Sequence, residues 1–192
     1  MAKRTGLTFG KQRRKFNFPL FKEVISWIAE IIIVIVIAGV LVYFFGMRTG
    51  VVGTAMEPTL TGEDQVLVNQ FIYSASHPKK MDVIIFLPNG NEKSHYYVRR
   101  VIGTPGDKIQ IKNGAVYVNG KLFEDISAAP IEDAGIASEE ITVGNGEYFV
   151  LGDNRNNSED SRYANIGNVK EEYIIGKAWF YFSSWERKGF IK

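Results

Sequence analysis

Cysteine is absent from this 192-residue chain, so neither a disulfide nor a Cys-ligated metal site is open to it. Histidine is nearly absent. His77 and His95 stand alone, and two isolated imidazoles do not make a metal centre. No metal or other cofactor is therefore expected. No long amphipathic helical pattern and no internal repeat occurs, which argues against an all-helical or repeat architecture. A basic face is missing too. After Met47 the chain holds 16 Lys+Arg against 19 Asp+Glu, three negative overall, where a nucleic-acid-binding domain would need the opposite balance. The formal charge of +2 on the whole chain comes from its N-terminal segment.

What the sequence does have is one long apolar run. Val24 to Met47 is the sharpest change of composition. Ile31 to Met47 carries no charge, and Ile31-Ile32-Ile33-Val34-Ile35-Val36-Ile37 is apolar on all sides, where a surface helix would keep a polar stripe. As a helix, these 24 residues cover about 36 Å, enough for a ~30 Å hydrocarbon core. Glu30 lies near the start, within reach of the headgroups, and Trp27 and Tyr43-Phe44-Phe45 supply interfacial aromatics near the two ends. A cleavable secretory signal is the competing reading. The run outlasts the roughly 7–15 apolar residues of a signal's core, and Met47-Arg48-Thr49-Gly50 is a poor small-residue cleavage site. The expectation is an uncleaved single-pass anchor in the lipid bilayer of the cell membrane. Lys3, Arg4, Lys11, Arg13, Arg14, Lys15 and Lys22 precede it, opposed only by Glu23. That asymmetry assigns residues 1–23 to a basic cytoplasmic tail, 24–47 to the membrane and 48–192 to an extracytoplasmic domain.

The remainder reads as strands and turns. Gln65–Asn69, Asp82–Leu87, His95–Ile102, Lys108–Lys112, Ala115–Val118, Glu147–Leu151 and Ile175–Phe182 have strand composition. Asn113-Gly114 is a strong two-residue hairpin signal, and Asn119-Gly120 turns the chain again. Lys121 to Gly146, with Ala128-Ala129-Pro130, is the least regular stretch and is expected to be a surface excursion. The fold class is mainly β: an antiparallel domain on one N-terminal transmembrane helix.

Three segments carry the functional signal. They are Gly53-Thr54-Ala55-Met56-Glu57-Pro58-Thr59-Leu60, Tyr97-Val98-Arg99-Arg100-Val101-Ile102-Gly103-Thr104-Pro105-Gly106-Asp107 and Gly152-Asp153-Asn154-Arg155-Asn156-Asn157-Ser158-Glu159-Asp160-Ser161-Arg162. In this order and spacing they resemble the type I signal peptidase family, membrane-anchored serine endopeptidases of the Ser/Lys dyad kind. The resemblance extends from the anchor to Phe182. It implies two coiled antiparallel β-sheets, in agreement with the strand reading. It also implies the family's activity, cleavage of signal peptides from exported preproteins at the outer surface of the cytoplasmic membrane.

The resemblance assigns sites residue by residue. The family pattern Gly-x-Ser-Met-x-Pro-Thr puts the nucleophile at position 55, and Tyr-x-Lys-Arg puts the general base at position 99. This chain has Ala55 and Arg99 there. A serine hydroxyl attacks only when a base takes its proton, and a lysine serves as that base only when burial keeps it neutral. A methyl group cannot attack, and a guanidinium stays protonated near neutral pH. Ser158 matches a supporting serine whose hydroxyl helps hold the lysine, and Asp160 and Arg162 match a supporting ion pair. Asp153 belongs to the same structural support. The backbone N–H of residue 55 matches an oxyanion-hole donor, which alanine retains. Peptide binding by strand addition is implied beside the segment leading into residue 55. Candidate lining residues are Val51, Val52, Met56 and Ile84 to Phe86, Ile84 and Phe86 included. The aromatic tail Trp179-Phe180-Tyr181-Phe182 with Trp185 is a candidate membrane-facing patch.

The expected partners are therefore signal peptides of exported preproteins and the lipid bilayer, with no nucleic acid. The leading reading is a family scaffold without catalysis. The alternatives are an active endopeptidase using an unorthodox residue, a chaperone for surface or pilus proteins, and a tethered β-module whose motifs only shape the fold. Thr54 is the nearest substitute hydroxyl, but in an extended segment it points away from the site. A buried Arg99 paired with a carboxylate would mark a rebuilt site.

Overall fold

The computed structural model describes residues 18–45, 47–124 and 129–191. The basic residues from Lys3 to Lys15, and Ala128 of the irregular stretch, lie outside the described residues. Helix α1 spans Phe18–Phe45, starting six residues before the predicted apolar run. Pro19 explains the early start. In the first turn its missing N–H is not needed and its fixed φ favours the helix. Among the described residues, α1 is the one helix long and apolar enough to cross a membrane, and none of its span is buried. The chain divides into two units at Val40–Leu41, so the β unit that follows is described by itself.

That unit is a curled antiparallel arrangement of two sheets. Its strands are β1 (Met47–Gly50), β2 (Gln65–Asn69), β3 (Val83–Phe86), β4 (Tyr97–Gly103), β5 (Lys108–Lys112), β6 (Ala115–Val118), β7 (Lys121–Leu122), β8 (Ile141–Thr142), β9 (Glu147–Leu151), β10 (Val169–Lys170), β11 (Ile174–Phe182) and β12 (Lys188–Phe190). The large sheet runs β1-β2-β11-β3-β4-β9-β10, with β12 on β11, and the small one runs β7-β6-β5-β8. The Asn113-Gly114 turn joins β5 to β6 as its sequence predicts, with both residues at positive φ.

Strand β3 shows how the core is built. All four residues are buried, and successive side chains go to opposite faces. Val83 and Ile85 pack with Val51, Met56, Leu60, Val66, Val68, Val98 and Ala178. Ile84 and Phe86 pack with Val101, Tyr148, Val150, Ile166 and Val169. A third cluster lies between the small sheet and β4/β9, around Ile102, Ile109, Val116, Phe149 and Leu151. Ile131, Ala137 and Val143 belong to this third cluster. The stretch from Lys121 to Gly146 is thus partly core, not only a surface excursion. Its apolar residues are isolated, and its two-residue strands β7 and β8 are too short to show a period.

Candidate functional site

Position 55 lies in a run of turns after β1, not in an extended strand. The extended-strand argument against Thr54 therefore does not hold. The side chain is instead tied: its Oγ1 accepts from Asn157 Nδ2 at 2.7 Å, and its carbonyl accepts from Asn154 Nδ2 at 3.1 Å. The Asn154 N–H donates to the Ala55 carbonyl at 3.0 Å. Residue 55 is thereby stitched to the 152–157 turn.

Gly152 makes this approach possible. A Cβ there would stand 2.1 Å from Ser158 Oγ and 2.5 Å from the Ala55 carbonyl oxygen. No side chain fits that gap.

The three sequence segments meet at Asp153. Its carboxylate accepts two hydrogen bonds from Arg100, from Nε at 2.8 Å and Nη2 at 2.7 Å, and both side chains are fully buried. Thr59 Oγ1 donates to the same carboxylate at 2.6 Å. One residue from each segment therefore joins at a single buried ion pair.

Asp160 is a second junction. It accepts from the Gly152 N–H at 3.0 Å, from Ser158 Oγ at 2.9 Å and from Arg162 Nε at 2.8 Å. The Asp160–Arg162 pair implied by the resemblance is thus present. Ser158 donates its hydroxyl to Asp160.

Arg99 differs from its neighbour Arg100. It is buried, but its donors go to backbone carbonyls: Nη1 to Val98 at 2.7 Å, Nε and Nη2 to Glu159 at 2.9 and 2.7 Å. The Glu159 carboxylate is engaged elsewhere, by Tyr97 Oη at 2.7 Å and Asn165 Nδ2 at 2.8 Å. Position 99 thus holds a buried guanidinium, without the direct carboxylate pairing that was expected to mark a rebuilt site. Burial pulls its pKa below the ordinary guanidinium value, and Asp160, Tyr97 and Glu159 pull the other way. A guanidinium is still charged at neutral pH.

Ala55 and Arg99 face one cavity of about 180 Å³, which Val51, Val52, Met56 and Glu159 also line. Strand β4 pairs with β9 only from Arg100 onward, so its edge at Tyr97–Arg99 is left open here. Of the predicted lining residues, Val51, Val52 and Met56 reach the cavity. Ile84, Ile85 and Phe86 do not line it, because β3 is buried on both faces, with Ile85 packed in the cluster around Met56 and Ile84 and Phe86 in the cluster on the other side. His95, Tyr97 and Glu159 line the cavity unforeseen. The period-2 alternation of Tyr97 with Arg99 was the signal available for Tyr97. Glu159 holds Arg99 through its backbone carbonyl, which no residue type announces. Among the described residues, no cluster of His, Cys, Asp and Glu could hold a metal ion.

Comparisons with known proteins agree on one family. The family described as signal peptidase, peptidase S26, matches residues 24–185. Signal peptidase I P of Bacillus subtilis subsp. natto is 35% identical over 176 residues, covering 88% of this chain and 91% of that protein. Signal peptidase IB of Staphylococcus aureus (strain COL) is 34% identical over 177 residues, covering 84% of this chain and 90% of its own. A crystal structure of a signal peptidase I from Enterococcus faecalis V583 is 29% identical, with a TM-score of 0.43 over 53% of this chain and 97% of that one.

Proposed function

The chain belongs to the signal peptidase family, peptidase S26, and from that premise we propose that it is a non-cleaving member that holds peptide segments of exported proteins. The observation that carries this is the pair of groups at the family's dyad positions. Ala55 offers a methyl where the family's reaction begins, and Arg99 offers a protonated guanidinium that makes three hydrogen bonds to two backbone carbonyls. Nothing at either position can form an acyl bond or take a proton. What supports retained binding is the rest of the site: the open β4 edge, the cavity, and the two buried ion pairs that brace the 152–162 turn.

The helix α1 anchors the protein in a membrane, with the basic tail on the cytoplasmic side and the β unit outside. Signal peptides of exported preproteins are then the partners that reach the cavity. Protease added to intact spheroplasts digests the region after Met47 and spares the first twenty residues under this topology; protection of the β unit refutes it.

Activity is tested with the purified full chain and a preprotein. Loss of a serine-protease nucleophile or base costs on the order of 10⁶ in kcat, about 8 kcal/mol of barrier, so no cleavage above background is expected. The double change Ala55→Ser with Arg99→Lys restores measurable cleavage after small residues, and Ala55→Ser alone does not. Recovery stays partial. The cavity around residue 99 is built for a guanidinium, and Ser158 is bonded to Asp160. Wild-type turnover that disappears on Thr54→Val overturns the proposal.

A further inference from the structure

Arg99 has hydrogen-bond donors left over. A guanidinium carries five N–H groups. Three of those on Arg99 are bonded, so two have no acceptor among the described residues. The residue is only 7% exposed, and it lines the cavity shared with Ala55. Neither neighbouring carboxylate takes these donors. Glu159 also lines the cavity, but its oxygens accept from Tyr97 and Asn165. Asp160 accepts from Gly152, Ser158 and Arg162. The Ala55 N–H adds a further donor with no backbone hydrogen bond among the described residues. The cavity therefore gathers unused donors and one desolvated positive charge. An uncleaved peptide brings only a neutral carbonyl to such a place. A chain end brings two oxygens and a negative charge, which a guanidinium fork matches.

Resting on the peptide-groove reading above, we propose that the site selects peptides that end in it: Arg99 recognises the free C-terminal α-carboxylate of an extended peptide whose small last residue sits against the Ala55 methyl. The ligand class is then a released peptide with a small C-terminal residue, not an intact preprotein. The lost hydroxyl at 55 leaves room for the carboxylate, and the arginine at 99 supplies its counter-charge. No bond is made or broken.

The test uses the full chain in detergent micelles and three fluorescent peptides of one apolar sequence ending Ala-Leu-Ala. The first ends in a free carboxylate, the second in a carboxamide, and the third continues five residues past the last alanine. The acid is expected to bind about tenfold or more tighter than either of the others, as a charge-assisted contact outweighs a neutral one. Arg99→Met should lower acid binding to the level of the amide, and Arg99→Lys should keep part of the preference. Equal binding of all three peptides overturns the inference and leaves the groove reading standing. An acid preference that survives Arg99→Met overturns the role of Arg99. No binding of any peptide overturns the groove reading and the inference with it. Should Arg99→Met not fold, the acid–amide comparison on the unaltered chain still decides.

Discussion

Two adjacent arginines on β4 have opposite fates. Arg100 turns to the face where both arms of its fork meet the Asp153 carboxylate, with no exposure on either partner. Arg99 turns to the other face, where its hydrogen bonds go to carbonyl oxygens and its guanidinium lies over the Tyr97 ring at 4.9 Å, and it borders a cavity. One arginine is a structural strut whose charge is cancelled. The other is a charge held in place by the backbone and left facing an opening. The first kind of site supports a fold, and the second can meet a ligand. The difference arises from one step along a strand, because successive side chains leave it on opposite sides.

The comparison breaks most visibly at the strut. Removing one member of a fully buried ion pair leaves the other charge unpaired, and this costs about 3–5 kcal/mol. Arg100→Met or Asp153→Ala should therefore destabilise the protein by about that amount in urea unfolding. Because Thr59 also bonds Asp153, either change should loosen the 53–60 turns as well. A loss under about 1 kcal/mol would mean the pair is not the brace described here.

Next in size is Gly152. Its φ is ordinary, so the demand is for space rather than backbone freedom. Gly152→Ala puts a methyl 2.5 Å from the Ala55 carbonyl, and overpacking of this kind costs about 1–3 kcal/mol. The change should also displace residue 55 and weaken peptide binding more than it lowers stability, with calorimetry and unfolding measured on the same variant. Unchanged binding would detach residue 55 from the site.

Arg99→Met is the direct counterpart of Arg100→Met and should be milder, about 1–2 kcal/mol. The carbonyls it abandons are those of Val98, which is buried, and Glu159, an exposed residue that water can reach. If the two arginine variants lose equal stability, the distinction between strut and ligand-facing charge fails.

Much of this was legible in the sequence. The strands from β2 to β6, and β9 and β11, follow from alternation and turn residues, and the long apolar helix α1 from its uncharged run. The three segments and the identities at 55 and 99 were visible as a family pattern. What was not legible depends on tertiary placement. Ile84 and Phe86 are as apolar as Val51 and Met56, and only the burial of β3 on both faces keeps them from the cavity. The Arg100–Asp153 pair joins residues 53 apart, and nothing local to either names the other. The Arg99 acceptors are main-chain oxygens, which every residue has. The edge strands β1, β10 and β12 are too short for a period to declare itself.

The smallest expected effect sharpens the comparison at Glu159, which serves Arg99 with its backbone and Tyr97 with its side chain. Hydrogen bonds from Asn165 and Tyr97 hold the Glu159 carboxyl below its ordinary pKa, with burial opposing and the Arg99 charge assisting. A carboxylate with a depressed folded pKa contributes stability that is full above the unfolded value, about 4.3, and is lost as pH falls through the folded value. Glu159→Gln removes that contribution. The variant should be less stable than the parent by well under 1 kcal/mol above about pH 5, since the group is exposed and solvent screens it. The gap should close as the pH falls through the lowered folded value, where the parent's own carboxylate becomes protonated. The backbone carbonyl that holds Arg99 is untouched, so peptide affinity at neutral pH should change little. A gap that widens on acidification would reverse the sign. A large loss of affinity would show that the Glu159 side chain, and not its carbonyl, sets the position of Arg99.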